Sequence, residues 1–306
     1  MSFEVTILGC GSATPTSRRN PSAQIINMSE RFFLIDCGEG AQMQIRRVGI
    51  KFQRINHIFI SHLHGDHYLG LLGLLSTMHL FGRNNPIHIY CHKPLKEIID
   101  IQLKASETYL NFEIIYHFHE KGFEGVLFED QKIKIECFQL NHRIPCVGFL
   151  FSEKQKLPNL KKEMVDDYKI SSSEIGKIKN GADFITESGE LIPNNQLVIP
   201  APFPRSYAYC SDTVYMPNLA EKLKKVNLVY HEATFTKEMS ERAKDTFHTT
   251  AEQAAELAKS GEFGELMLGH FSARYKDLNG HLEEAKAIFE NSFNAEELKT
   301  FKVKYF

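Results

Sequence analysis

The sequence is poor in several features, each of which would announce a class of protein. No apolar run approaches the ~18 residues that a membrane span needs. The richest stretch, 68–81, is interrupted by His79 and by glycines and polar residues. The opening Met-Ser-Phe-Glu-Val-Thr-Ile-Leu-Gly has neither a basic start nor a long apolar core, so no secretory leader is expected. The six cysteines (10, 37, 91, 137, 146 and 210) are scattered, with no C-x-x-C pair, and are read as reduced thiols of a cytoplasmic protein. Neither sign of charge dominates: the formal net charge is −2 over 306 residues. Global charge therefore does not announce nucleic-acid binding, although a local cationic stripe on a neutral whole is compatible with it. Internal repeats and low-complexity blocks are absent.

What is there reads as one large layered α/β unit. Strands are expected over 3–8, 23–28, 31–37, 57–60, 87–91, 132–140, 196–199, 207–210, 226–231 and 266–268. Helices are expected over 41–48, 66–81, 95–106, 251–259 and 282–289. Residues 152–190 differ: they are polar, only weakly amphipathic (Leu160, Met164, Tyr168) and punctuated by Ser-Ser-Ser, Asn180-Gly181 and Ser188-Gly189. They contribute little core and read as an excursion, of the kind that usually carries function.

The strongest signal is residues 61–67, Ser-His-Leu-His-Gly-Asp-His. The run follows the strand ending Ile-Phe-Ile and precedes an apolar helix, so its ligands would sit on a tight loop between rigid elements. His62 and His64 alternate and can face one ion; Asp66 and His67, at the turn into the helix, would face a second. Two ions need further ligands at strand ends. His142 follows the strand over 132–140, Asp212 follows Tyr-Ala-Tyr-Cys and could bridge both ions, and His270 follows Leu-Gly with the small Gly269 beside it. Ligation by His and Asp without thiolate suits Zn²⁺, or Mn²⁺ or Fe²⁺. Such ions lower the pKa of a bound water to roughly 7 and stabilise charge on a phosphoryl or carbonyl centre.

Other residues are read around this set. Asp66 could also accept a proton from the attacking water. His248 could protonate the leaving oxygen, with Glu232 orienting it. Asp36 would hold a ligand imidazole through its free N–H, and Thr249 or Thr250 would cap the helix beginning at Ala251. His57, His79, His88, His92, His117, His119 and His281 are read as structural or exposed, and His231 as intermediate. The glycine turn at 7–15 is not a dinucleotide site, because Pro15 and the polar segment after it open no helix.

Beyond the metal-loop run and its partners, five segments carry a resemblance to a known family: Leu-Ile-Asp-Cys-Gly-Glu-Gly-Ala-Gln (34–42), Pro-Thr-Ser-Arg-Arg-Asn (15–20), His-Glu-Ala-Thr-Phe (231–235), His-Thr-Thr-Ala (248–251) and Gly-His-Phe-Ser-Ala-Arg-Tyr (269–275). Over nearly its whole length the chain resembles the ribonuclease Z family of the metallo-β-lactamase superfamily. The resemblance implies an α/β fold, an αβ/βα sandwich of two packed mixed sheets flanked by helices, as a single domain over 1–306. It implies two zinc ions per subunit, usually a homodimer, and removal of the 3′ trailer from precursor tRNA. The implied metal ligands are His62, His64, Asp66, His67, His142, Asp212 and His270, with Asp66 as the base and His248 as a proton donor. The excursion at 152–190 becomes an arm that grips the tRNA through its lysines, and Arg18, Arg19 and Asn20 become contacts to the acceptor stem. The chain departs from the family pattern at Ser171-Ser-Ser-Glu, where a Gly-Pro pair is usual, and at Ser211, where glycine is common. The alternative is a hydrolase of the same fold acting on small phosphodiesters or sulfate esters. A protein that only binds RNA would have no use for the complete ligand set.

Overall fold

A computed structural model describes residues 2–306. Two seven-stranded sheets face each other. The first runs, in spatial order, Thr300–Lys302, Phe3–Gly9, Ala23–Met28, Arg31–Ile35, Ile55–Phe59, Ile87–Cys91, Ile114–Phe118. The second runs Ser292–Asn294, Glu265–Gly269, Leu228–Glu232, Ser206–Cys210, Cys146–Glu153, Ile133–Leu140, Gly125–Glu129. Each sheet is part parallel and part antiparallel: the first turns parallel from Arg31–Ile35 onward, and the second is parallel from Ser292–Asn294 to Ser206–Cys210. This is the mixed two-sheet sandwich that the sequence implies.

Side-chain alternation explains why both sheets read as nearly continuous apolar runs. In Arg31–Ile35, Phe33 points between the sheets while Leu34 points to the helices; in Ile55–Phe59, Phe59 and Ile58 divide the same way. Between the sheets Phe33 meets Phe151 edge-on at 5.8 Å and Phe59 meets Phe149 at 5.5 Å. Outside the first sheet, Ile45, Leu74, Leu75, Met78 and Ile99 bring their helices onto Leu34 and Ile58.

The helix expected over 66–81 is broken into Gly65–Tyr68 and Leu71–Leu80. The break falls at Gly70, whose amide donates to Cys37 O at 2.9 Å. A Cβ there would lie 2.1 Å from Gly38 O, so only glycine lets the metal loop lie this close to the turn after Arg31–Ile35. The strand expected over 196–199 is instead a short helix, Asn194–Leu197, followed by Val198–Ile199, which pairs back on Asn159–Leu160.

The excursion consequently reaches further than its polar texture shows. The chain leaves the second sheet after Glu153 and re-enters at Arg205, and these two buried side chains form a two-point ion pair at its base (Nη2 to Oε1 2.8 Å, Nε to Oε2 3.1 Å). Contrary to the expectation that it holds little core, it folds around its own cluster of Ile170, Ile178, Phe184, Ile192, Leu197 and Val198. The helices Lys162–Asp167 and Ser172–Lys179 supply part of that cluster, the second capped by Ser171 Oγ accepting from Glu174 N. No helix among the described residues is long and apolar enough to cross a membrane.

Candidate metal centre

The site is assembled at the strand ends, where ligands of α/β sheets generally collect. In the first sheet, Arg31–Ile35 ends at Asp36 and Ile55–Phe59 ends at the loop carrying His62, His64, Asp66 and His67. In the second, Ile133–Leu140 leads to His142, Ser206–Cys210 to Asp212, Leu228–Glu232 ends on Glu232, and Glu265–Gly269 leads to His270. A Cβ at Gly269 would sit 2.1 Å from the Tyr230 hydroxyl, so the small residue beside His270 is required by close packing. Asp36 and His270 both adopt left-handed backbone (φ +53 and +57), a conformation uncommon for side chains other than glycine and frequent at functional positions.

The seven expected ligands come together in two groups. His62, His64, His142 and Asp212 offer ligand atoms all within 4.8 Å of one another, as do Asp66, His67 and His270. Asp212 stands between them. Its Oδ2 is 3.6 Å from His62 Nε2 and 3.8 Å from His142 Nε2, whereas its Oδ1 is 3.3 Å from His67 Nε2 and 3.2 Å from His270 Nε2. Asp66 Oδ2 lies 3.5 Å from His67 Nε2 and 3.4 Å from His270 Nε2.

The far nitrogens of the imidazoles are held by the protein, which orients the near ones inward. His67 Nδ1 is 2.7 Å from Asp36 Oδ2, His270 Nδ1 is 2.9 Å from Thr234 Oγ1, and His142 Nδ1 is 3.0 Å from Phe247 O. His62 Nδ1 is 3.0 Å from Ser61 Oγ, which itself donates to Asp36. Asp36 is fully buried and also accepts from Ser61 N and the Tyr209 hydroxyl.

The donor set fits a pair of cations. His67 Nε2 is buried with no hydrogen-bond partner, an arrangement that a cation between it, Asp66 and Asp212 would resolve. His64 Nδ1 is 3.1 Å from both His62 Nε2 and His142 Nε2, so three ring nitrogens converge on one place where at most a few protons could sit. Burial, reinforced by His67, pushes the His62 imidazole well below its ordinary range and so keeps its nitrogen lone pair free. Burial works the same way on His64 and His142. At His67 burial is outweighed by Asp212, Asp66 and Asp36, which raise it well above the ordinary value. Burial likewise opposes ionisation of Asp66, but His67 and His270 hold that carboxyl far below its usual range.

Beside the ligands, His248 Nδ1 is 2.9 Å from Glu232 Oε1. Burial alone would lower the His248 imidazole; the Glu232 carboxylate overrides it and raises it to about 9. Glu232 is fully buried, yet accepts from Thr213 N, Thr234 N and Thr234 Oγ1, which fix its orientation. The metal groups and His248 open on a cavity of about 510 Å³, lined also by Ala13, Pro15 and Arg143.

Several readings change. Arg19 and Asn20 are engaged by the protein rather than free as RNA contacts: Arg19 is buried and donates to Ser272 O and Tyr275 O, and the half-buried Asn20 is bound to Glu297. They tie down the loop whose Ala13 amide donates to Asp66 Oδ2 at 2.7 Å. Arg18 alone of the three stays exposed. Of the two threonines, Thr250 caps Ala251–Ser260, with Gln253 completing the capping box, while Thr249 donates to Thr213 O. His231 is buried and hydrogen-bonds through Nδ1 to Glu232 O, outside the two groups. Ala13, Thr213, Thr234, Tyr209 and Phe247 were not anticipated. Three act through backbone atoms, which leave no trace in side-chain type; Thr234 and Tyr209 sit in motifs already noted and could have been found there.

Residues 3–196 match the family model described as anti-Pycsar protein Apyc1. A ribonuclease Z of Phocaeicola vulgatus is 48% identical over 295 residues, covering 96% of both chains. The crystal structure of the human short form of tRNase Z superposes with a TM-score of 0.71 at 27% identity, covering 98% of this chain and 99% of that one. The metallo-β-lactamase-fold protein YhfI from Bacillus subtilis shares the fold, with a TM-score of 0.69 at 16% identity over 99% of this chain and 100% of that one. Residues 3–196 thus fall within the Apyc1 family, and over 96% of its length the chain belongs to the ribonuclease Z family, on a metallo-β-lactamase fold.

Proposed function

We propose that this chain is a zinc-dependent endoribonuclease that removes the 3′ trailer from precursor tRNA, leaving a 3′-hydroxyl on the tRNA. The observation that carries the reading is Asp212, whose two oxygens face two separate groups of imidazoles. His62, His64 and His142 would hold one ion and Asp66, His67 and His270 the other, with Asp212 shared; nitrogen and oxygen ligation without thiolate suits zinc. Bound there, the ions would supply a water of lowered pKa and stabilise charge building on the scissile phosphate. Asp66, ionised, accepts the proton of the attacking water. His248 Nε2 delivers a proton to the departing 3′ oxygen, while Glu232 holds Nδ1 and keeps the ring turned to the cavity.

The excursion between Glu153 and Arg205 supplies a second contact to the tRNA body. Lys154 and Lys156 at its base are ion-paired to Glu129 and Glu153, whereas Lys161, Lys162, Lys169, Lys177 and Lys179 make no ion pair among the described residues and suit phosphate contacts. The reading includes a cytoplasmic homodimer, which light scattering on purified protein tests. The decisive assay compares end-labelled precursor tRNA with bis(p-nitrophenyl) phosphate and cyclic nucleotides. Cleavage at the trailer junction is expected; activity confined to the small esters would sink the assignment. Removing residues 155–180 is expected to weaken tRNA cleavage and spare the small ester, and equal loss of both would show this segment to be part of the catalytic fold.

A further inference from the structure

Four parallel strands of the first sheet end at one rim. Arg31–Ile35 and Ile55–Phe59 deliver Asp36 and the metal loop; the next two, Ile87–Cys91 and Ile114–Phe118, end at His92 and His119, which nothing above employs. These two rings pack 4.2 Å apart, and His92 Nδ1 lies 3.2 Å from His119 O. They are 8% and 2% exposed, yet both ring nitrogens of His119 have no hydrogen-bond partner among the described residues. Burial lowers both imidazoles, His119 to about 3, so they are neutral groups. Leaving such buried polar atoms unpaired is unfavourable, which a purely structural role does not explain.

The same two rings line a second cleft of about 810 Å³ with Leu63, Phe118, Ile144 and Pro145. It lies beside the metal centre: Leu63 stands in the chain between His62 and His64, and Ile144 follows Arg143. The residue pairs 63–64 and 143–144 thus divide the cleft from the main cavity, which His64 and Arg143 line. Lys93 and Lys121 lie on its rim, with Glu120 as the one carboxylate, and the twelve-residue helix Pro94–Ala105 begins there. An apolar and aromatic floor with cations and a helix N-terminus at the rim is what a base and its phosphate require.

We infer that this cleft binds a nucleotide of the single-stranded 3′ trailer, its base against Phe118 and Pro145 and its phosphate toward Lys93 and Lys121. The choice of trailer rests on the proposed function. His248, the donor to the departing 3′ oxygen, lines the main cavity and not this cleft. The tRNA side of the scissile bond therefore occupies the main cavity, and the strand continuing beyond the phosphate enters the cleft.

The test is a coupling experiment on the full chain. Precursors carry a six-nucleotide trailer with its bases intact or abasic, or an abasic discriminator with a normal trailer. Affinity is read by filter binding on the Asp66→Ala background and cleavage with otherwise unaltered protein, each with and without Phe118→Ala. Either Phe118→Ala or the abasic trailer is expected to weaken binding about tenfold. The two together should weaken it no further, with bis(p-nitrophenyl) phosphate hydrolysis unchanged. Losses that multiply would overturn the proposal, as would coupling to the discriminator instead of the trailer. Binding without cleavage would sink the proposed reaction and leave the cleft standing; cleavage without coupling would sink the cleft alone. Pro145→Ala, at the other residue set against the base and itself exposed, carries the same comparison if Phe118→Ala does not fold.

Discussion

Besides the His92–His119 pair, histidines gather in two places: at the candidate metal centre, between the two sheets, and in a stack within the first sheet. In the metal centre, imidazoles are interleaved with Asp36, Asp66, Asp212 and Glu232. In the other assembly His57, His88 and His117 stack ring on ring across Ile55–Phe59, Ile87–Cys91 and Ile114–Phe118, with centroids 4.9 and 5.1 Å apart. His88 Nδ1 is 2.9 Å from His117 Nε2, His57 Nδ1 is 3.3 Å from the Tyr90 hydroxyl, and no carboxylate among the described residues is hydrogen-bonded to the three. Burial, the other two histidines and the cations Arg31 and Arg83 lower His57 to about 4. The residue type is the same in both places. Carboxylates sharing the space make one set of rings suited to hold cations, and without them the other set serves as packing between strands.

This contrast can be broken or sharpened by substitution. The largest effect belongs to Asp212→Ala: precursor cleavage should fall by several orders of magnitude and bound metal should be lost, as read by single-turnover kinetics and elemental analysis. Retention of both would remove Asp212 as the shared ligand. His248→Ala should slow cleavage by about 10²–10⁴ with metal content unchanged, because it removes a proton donor and not a ligand. Asp36→Asn should weaken metal affinity roughly 10–100-fold through His67, measured by competition with a chelator. The smallest effect belongs to the stack. His57→Phe should leave cleavage within about twofold, since the ring's contacts with Phe33 and Phe128 accept a phenyl. A large loss of activity there would erase the distinction between the two assemblies.

Acid sharpens the same contrast. The folded His57 has a pKa near 4, below its unfolded value near 6.5, so between these the unfolded chain binds the proton that the folded chain refuses. Stability from this group is whole above about pH 6.5 and lost as the pH falls toward 4. Tm should therefore drop over that window, and more shallowly in His57→Phe; parallel curves would show that the stack does not couple to folding.

The sequence made the gathering of the proposed ligands legible because four of them cluster in one short loop and the others stand at strand ends, where residue type and position reinforce each other. His142, Asp212 and His270 each follow a recognisable strand. The stacked histidines were legible only as non-ligands, since their alternation within strands showed burial but not that three strands would bring them face to face. Cys146–Glu153 escaped notice because both its faces are buried against neighbouring layers, which removes the polar alternation that marks a half-exposed strand. The cluster inside the excursion escaped for the opposite reason. Ile170, Ile178, Phe184 and Ile192 are isolated among polar residues, and only the pairing of short strands brings them together.

The ligand set is divided between the two sheets: His62, His64, Asp66 and His67 belong to the first, and His142, Asp212 and His270 to the second. An ion held between them would act as a crosslink whose strength rises with metal concentration, adding RT ln(1 + [M]/Kd) to the free energy of keeping the layers in register. The dependence runs both ways. A core change far from any ligand, such as Phe149→Ala against Phe59, becomes a change in metal affinity, and metal occupancy becomes a gauge of how well the two layers fit.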